Sequence, residues 1–134
     1  MKRLLGLLLA LALAAPVAAA GPNSITVIGD AQFAGTVSIE FETNADSPWA
    51  YAECVAKETT VIGTDPNTGE PGADVGDLVY AQYIAAHRGA DTFTLGPTPL
   101  WQGGGADCSA TIGYFHDQTG RFRPRATATF IATG

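Results

Sequence analysis

Residues 36–43 read TVSIEFET and carry the clearest structural signal in this chain of 134 residues. The apolar side chains of Val37, Ile39 and Phe41 alternate with polar ones. Because successive side chains of a strand point to opposite faces, this stretch predicts a β-strand with one buried face. The fold predicted from it is a set of half-buried strands packed around one core.

Six further runs have the composition of strands, since they are rich in Val, Ile, Thr and aromatic residues and are separated by Gly, Pro, Asn and Asp. These runs are 25–28, 49–61, 78–86, 92–95, 106–116 and 121–133. The pattern predicts an all-β, antiparallel sandwich of about seven strands. We expect its core to contain Val37, Ile39, Phe41, Ile112, Phe122 and Phe130.

The first 20 residues have the pattern of a helical signal peptide. Lys2 and Arg3 precede an uncharged stretch at 4–15, and Ala18–Ala20 resembles a cleavage site. The alternative is an uncleaved membrane anchor, but the stretch is short for a span and Pro16 interrupts it. We predict cleavage near Ala20, a single domain over 21–134, and a secreted protein, extracellular or periplasmic, with no stable membrane anchor.

The predicted mature chain is strongly acidic. It contains five basic and 13 acidic side chains, which gives a formal net charge of −8, compared with −6 for the whole sequence. This balance argues against a nucleic-acid partner and against docking on anionic lipid. High net charge also keeps an exported domain soluble.

Cys54 and Cys108 are the only cysteines, and both lie among small residues in strand-like segments. In an exported protein such a pair is expected to be oxidised. We predict a disulfide that joins two strands across the core of the sandwich.

The position of Cys54 in an early strand and of Cys108 in the penultimate one resembles the immunoglobulin-like and fibronectin-type-III-like domains. The segment 105–110, GADCSA, is similar to the penultimate strand of that family. The family's corner tyrosine is replaced by Ala106, and neither Trp49 nor Trp101 occupies the position of its core tryptophan. The resemblance implies a bacterial-type immunoglobulin-like module, and because such sandwiches host many functions it implies fold more than activity.

Two features are candidates for binding. Trp101, flanked by Pro99 and three glycines, is either an exposed aromatic that binds sugar or protein or a plug that closes one end of the sandwich. Arg121, Arg123 and Arg125 are expected on one outward face of the last strand, where they would bind an anionic partner or protect an edge from aggregation. In that strand, Pro124 indicates an edge position or a bulge.

Metal and catalytic signals are weak. The loop that contains Asp65, Asn67 and Glu70 offers oxygen ligands to calcium, but it lacks the full pattern of a calcium loop and is also an ordinary turn sequence. His116 and Asp117, with Ser109 upstream, contain the residue types of a hydrolytic triad without a nucleophile motif. We therefore expect no cofactor and no resident metal.

The sequence favours a secreted, non-catalytic module for recognition or adhesion whose partner is an unknown protein or glycan. One alternative is a structural component of the cell envelope, and another is a small secreted hydrolase that uses His116 or Asp117. An exposed aromatic patch would indicate the recognition module, and a concave pocket with convergent titratable groups would indicate the hydrolase. A structural component would show neither feature.

Overall fold

The structure is a computed structural model that describes residues 22–57, 73–86 and 89–134. These residues form eight strands and no helix. The strands are β1 (Ser24–Ile28), β2 (Ala31–Gln32), β3 (Thr36–Glu42), β4 (Trp49–Ala56), β5 (Leu78–Ala85), β6 (Ala90–Thr94), β7 (Ala106–Phe115) and β8 (Phe122–Thr133). The predicted signal peptide, residues 1–20, lies outside the described residues.

The strands form two sheets, so the predicted all-β class is confirmed. The smaller sheet has the order β1-β3-β6, and the larger has the order β2-β8-β7-β4-β5. Each of the seven predicted strands has a counterpart among the described residues, and all of their pairings are antiparallel. The two-residue β2, which the sequence did not predict, runs parallel to the end of β8.

The core is asymmetric in side-chain size. The larger sheet contributes mostly small residues, such as Ala50, Ala52 and Ala110, all fully buried. The smaller sheet contributes bulky residues, among them Ile39 and Phe93, each 1% exposed. Large side chains opposite small ones fill the space between two sheets without voids. The predicted burial of Val37, Ile39, Phe41 and Ile112 is confirmed, and Phe130 packs partly buried against this core.

A bulge in β8 overturns the predicted burial of Phe122. Ile112 pairs with Ala126, but the next residue, Gly113, pairs with Pro124, so Arg125 is an extra residue. Because one inserted residue reverses the alternation of side chains, Phe122 lies on the outer face of the sheet instead of in the core. Gly113 permits this arrangement, since an added Cβ would overlap the Arg123 carbonyl oxygen and lie 2.8 Å from Phe122 Cζ.

The disulfide between Cys54 and Cys108 is present, but it does not cross the core. The two residues face each other on the adjacent strands β4 and β7, with their Cα atoms 4.1 Å apart. This is the close spacing of a pair that is not hydrogen-bonded across an antiparallel ladder. The prediction of a disulfide between the two sheets is therefore wrong. The sequence did not distinguish the two cases, because a separation of 54 residues along the chain fits neighbouring strands of one sheet equally well.

Candidate functional site

Five aromatic side chains lie together on the outer face of the larger sheet, away from the core. None is fully buried, and Tyr83 is 44% exposed. We call this group the outer aromatic cluster; its members are Trp49, Tyr51, Tyr83, Phe115 and Phe122. It is the main feature of the molecule that the sequence analysis did not identify as a candidate site.

Strand alternation and register bring the cluster together. In β4, Trp49 and Tyr51 alternate with alanines that point into the core. Tyr51 pairs with Tyr83 of β5, and Phe115 of β7 pairs with Phe122 beyond the bulge. The alternation of aromatic residue and alanine at 49–52 was the signal available in the sequence, whereas the pairing of Phe122 with this face depends on the bulge.

The rings contact one another closely. Tyr51 and Tyr83 are stacked, with ring centroids 4.4 Å apart. Phe122 makes T-shaped contacts with Tyr83 at 5.3 Å and with Phe115 at 5.4 Å, and Trp49 makes one with Phe115 at 5.5 Å. Stacked and T-shaped pairs of aromatic rings stabilise the folded chain by more than the burial of their surface alone.

A carboxylate borders the cluster at Tyr51. The Tyr51 hydroxyl donates a hydrogen bond of 2.9 Å to Glu53 Oε2. Partial burial, this hydrogen bond and the charge of Glu53 raise the pKa of Tyr51 to about 12. The phenol therefore stays neutral at ordinary pH and remains a hydrogen-bonding group at the edge of the aromatic surface.

Beside the cluster lies an open cleft of about 780 Å³, which we call the end cleft. It is lined by the β3–β4 loop at 44–47, by residues 114–118 at the β7–β8 hairpin, and by Trp49 and Arg125. Trp49 and Phe115 belong to both the cluster and the cleft. Aromatic rings thus meet carboxylate, amide and hydroxyl groups in a volume typical of small-ligand sites.

The three predicted arginines are all exposed, but they do not form one row. Arg121 precedes β8, and its backbone carbonyl closes the hairpin by accepting a hydrogen bond from the His116 amide. Arg123 pairs with Tyr114, and Arg125 places its guanidinium 5.0 Å from the centre of the Tyr114 ring. Only Arg125 lines the end cleft, because the bulge interrupts the expected period of two.

Trp101 is fully buried, so it is unavailable as a surface contact. Its ring packs against Phe33 at 5.1 Å and Tyr80 at 6.1 Å, and its Nε1 donates a hydrogen bond to the Gly104 carbonyl oxygen at 3.2 Å. Its burial agrees with the second of the two predicted alternatives, and the closing of one end of the sandwich by this ring stays a prediction. Trp101 lies just before β7 begins, whereas the outer aromatic cluster lies where β7 ends.

The residues considered for a hydrolytic triad are only partly assembled. His116 and Asp117 line the end cleft, together with Ser47. His116 Nδ1 accepts hydrogen bonds of 3.3 Å from the backbone amides of Gln118 and Thr119, which fixes that nitrogen within the turn. Ser109 instead pairs with Glu53 and Thr129 at mid-sheet, outside the cleft.

The candidate calcium ligands Asp65, Asn67 and Glu70 lie outside the described residues, as does His87. Among residues 22–57, 73–86 and 89–134 there is no group of three or more His, Cys, Asp or Glu side chains placed to hold a metal ion. That part of the chain also contains no helix long and apolar enough to cross a membrane.

Comparison of the sequence with protein-family models found no matching family, and comparison with curated proteins found no match either.

Proposed function

We propose that this chain is a secreted, non-catalytic recognition module of the immunoglobulin-like class, and that it binds a glycan through the outer aromatic cluster and the end cleft. The observation that carries the proposal is the outer aromatic cluster itself. Five aromatic rings on the solvent side of a sheet, beside a polar cleft, form the kind of surface that marks a binding site.

The order of the strands supports the immunoglobulin-like class. In that fold, strands A, B and E form part of one sheet, and strands G, F and C form the other, with an added strand C′ beside C in variable-type domains. The two sheets β1-β3-β6 and β8-β7-β4-β5 follow the same order. The C–F position of the disulfide differs from the B–F position in antibody domains, so the likeness lies in topology.

Secretion is supported by the signal-like sequence at 1–20 and by the Cys54–Cys108 disulfide. Disulfides form and persist mainly in oxidising compartments outside the cytosol. An extracellular or periplasmic location also brings the domain into contact with surface glycans.

The combination of ring faces and polar groups favours a glycan among the partners expected from the sequence. A pyranose presents an apolar C–H face together with hydroxyl groups that need hydrogen-bond partners. In the end cleft, Trp49 and Phe115 offer ring surface. The cleft lining also includes Asp46, Asn44 and Gln118, which offer carboxylate and amide groups. Small-molecule sites combine these same elements, an apolar wall and a few polar groups that fix orientation.

The first test is titration of the predicted mature protein, residues 21–134, with a panel of oligosaccharides of different sugar composition by isothermal calorimetry. Trp49→Ala removes one of the two rings shared by the cluster and the cleft, and we expect it to weaken binding by at least roughly tenfold. Thr92→Ala, an exposed position on the smaller sheet, is the matched control and should bind like the wild type.

The other outcomes separate the alternatives. Absence of binding to every oligosaccharide, or equal binding by Trp49→Ala and wild type, would reject the glycan proposal. Capture of a defined protein that depends on Trp49 would assign the same surface to a protein partner. Release of products from an ester or glycoside, abolished by His116→Ala, would instead establish the hydrolase, and a role as an envelope component predicts none of these results.

A further inference from the structure

One wall of the end cleft is the loop between β3 and β4, which has no regular secondary structure. Residues 44–47 of this loop line the cleft, and Ser47 has a positive φ of 50°. A residue other than glycine keeps this left-handed conformation only when its surroundings impose it. The loop therefore needs fixed points outside itself in order to present one defined surface to a ligand.

One fixed point is Asn23, which lies directly before β1. Its Oδ1 accepts a hydrogen bond of 2.7 Å from the Thr43 hydroxyl and one of 3.3 Å from the Asn44 backbone amide. Thr43 Oγ1 in turn accepts a hydrogen bond of 3.1 Å from the Ala45 backbone amide. A single side-chain oxygen of Asn23 thus fixes the point at which the loop leaves β3 and enters the wall of the cleft.

The burial of Asn23 indicates that these bonds are its role. Asn23 is only 5% exposed, and burying a polar side chain costs free energy unless its hydrogen bonds are made. An apolar residue would fill this position at lower cost if packing alone were required. The other end of the loop is fixed separately, because the Pro48 carbonyl accepts a hydrogen bond of 3.0 Å from the Ala86 amide. The loop is therefore held at both ends.

We propose that Asn23 is a positioning residue for the end cleft: by holding Thr43 and Asn44 it keeps the wall 44–47 in the geometry that binds the ligand. The inference rests on the proposed function, since it concerns affinity for the same glycan. Asn23 is not part of the cleft lining, so it acts only through the loop. When only a fraction of the molecules hold the binding geometry, the apparent dissociation constant rises by the inverse of that fraction.

The first measurement needs no ligand. Amide hydrogen exchange of the predicted mature protein, followed by NMR, reports on Asn44 and Ala45, whose amides are held by side-chain oxygens. In Asn23→Ala we expect both amides to exchange roughly tenfold faster, while the Ile39 amide within β3 keeps its wild-type rate. Unchanged exchange at both positions would overturn the inference. Thr43→Val removes the hydroxyl that bonds Asn23 and Ala45, and it replaces Asn23→Ala in both measurements if that variant does not fold.

The second measurement is calorimetric titration with the oligosaccharide of the panel that the wild type binds most tightly. For Asn23→Ala we expect the dissociation constant to rise about tenfold, in line with a binding-competent fraction of about one tenth. Asn23→Asp keeps an Oδ1 acceptor at the same place and should restore affinity to within about threefold of the wild type.

Thr98→Ala is the matched control. Thr98 Oγ1 holds a loop before β7, away from the end cleft, by accepting hydrogen bonds from the Leu100 and Trp101 backbone amides. The variant removes bonds of the same kind, so it should lower the resistance of the fold to urea while leaving the affinity for the oligosaccharide unchanged.

The two measurements separate failure of this inference from failure of the proposed function. A wild type that binds no oligosaccharide would reject the proposed function; faster exchange in Asn23→Ala would then still support Asn23 as the residue that positions the wall. Wild-type affinity in Asn23→Ala would overturn the inference and leave the glycan proposal standing. An equal loss of affinity in Thr98→Ala would also overturn it, because the effect would then come from stability alone.

Discussion

Two tyrosines, Tyr51 and Tyr80, have raised pKa values that make the stability of the fold depend on pH in the alkaline range. Burial raises the pKa of Tyr80 to about 12. Burial and the neighbouring Glu53 raise the pKa of Tyr51 to about 12 as well. Tyr80 packs against Trp101 and donates a hydrogen bond of 2.6 Å to Gln82 Oε1. In each case the folded state holds the phenol proton more tightly than the unfolded chain does.

We therefore expect the free energy of unfolding to fall as the pH rises from 10 to 12. In that window the unfolded tyrosines release protons while Tyr51 and Tyr80 of the folded state keep theirs, so ionisation favours unfolding; below pH 10 this contribution to stability is fully present. Urea unfolding at several pH values measures the slope. The double variant Tyr51→Phe/Tyr80→Phe should flatten it, and an unchanged slope would contradict the assignment.

At the scale of elements, β8 shows where alternation predicts a strand correctly and where it fails. The extents of β3, β7 and β8 agree with the sequence to within a residue or two, because each has a long period-two pattern. The side chains of β8 were expected to alternate between the two faces without interruption. The bulge shifts this alternation by one residue, so Ala126 and Ala128 are buried as expected while Phe122 is not. Pro124 indicated a bulge, but a proline does not specify which residue is the extra one.

The position of Phe122 gives a quantitative prediction. Phe122→Ala should cost about 1–2 kcal/mol, because the side chain is partly exposed and loses mainly ring contacts. Phe93→Ala, in the core and 1% exposed, is the comparison and should cost about 3–5 kcal/mol. Urea unfolding of both variants measures the difference. Equal losses would mean that the outer aromatic cluster acts as a second core, and its availability for ligand would then be in doubt.

For the whole molecule, the sequence specified the buried face of most strands but not which strands lie side by side. The composition of each strand predicted which face is buried, and this part of the fold is confirmed for Ile39 and Ile112. It did not predict which strands share a sheet, because that depends on contacts between distant segments. For the same reason the cysteines were correctly paired but assigned to opposite sheets, and the outer aromatic cluster, assembled from β4, β5, β7 and β8, was not foreseen as a site.

The last prediction concerns the disulfide as a link within one sheet. Replacing both cysteines, Cys54→Ala with Cys108→Ala, releases a closure of 54 residues in the unfolded chain, which on the chain-entropy model costs about 4 kcal/mol. The fold itself should persist, because β4 and β7 are aligned over eight residue pairs and the cysteines are only one of them. Urea unfolding of the variant, with reduced wild type as the matched control, tests both statements. A loss below about 1 kcal/mol would show that the unfolded chain is already compact around this pair. Loss of the β-sheet circular dichroism in the variant would show that the bond, rather than the ladder, holds the larger sheet together.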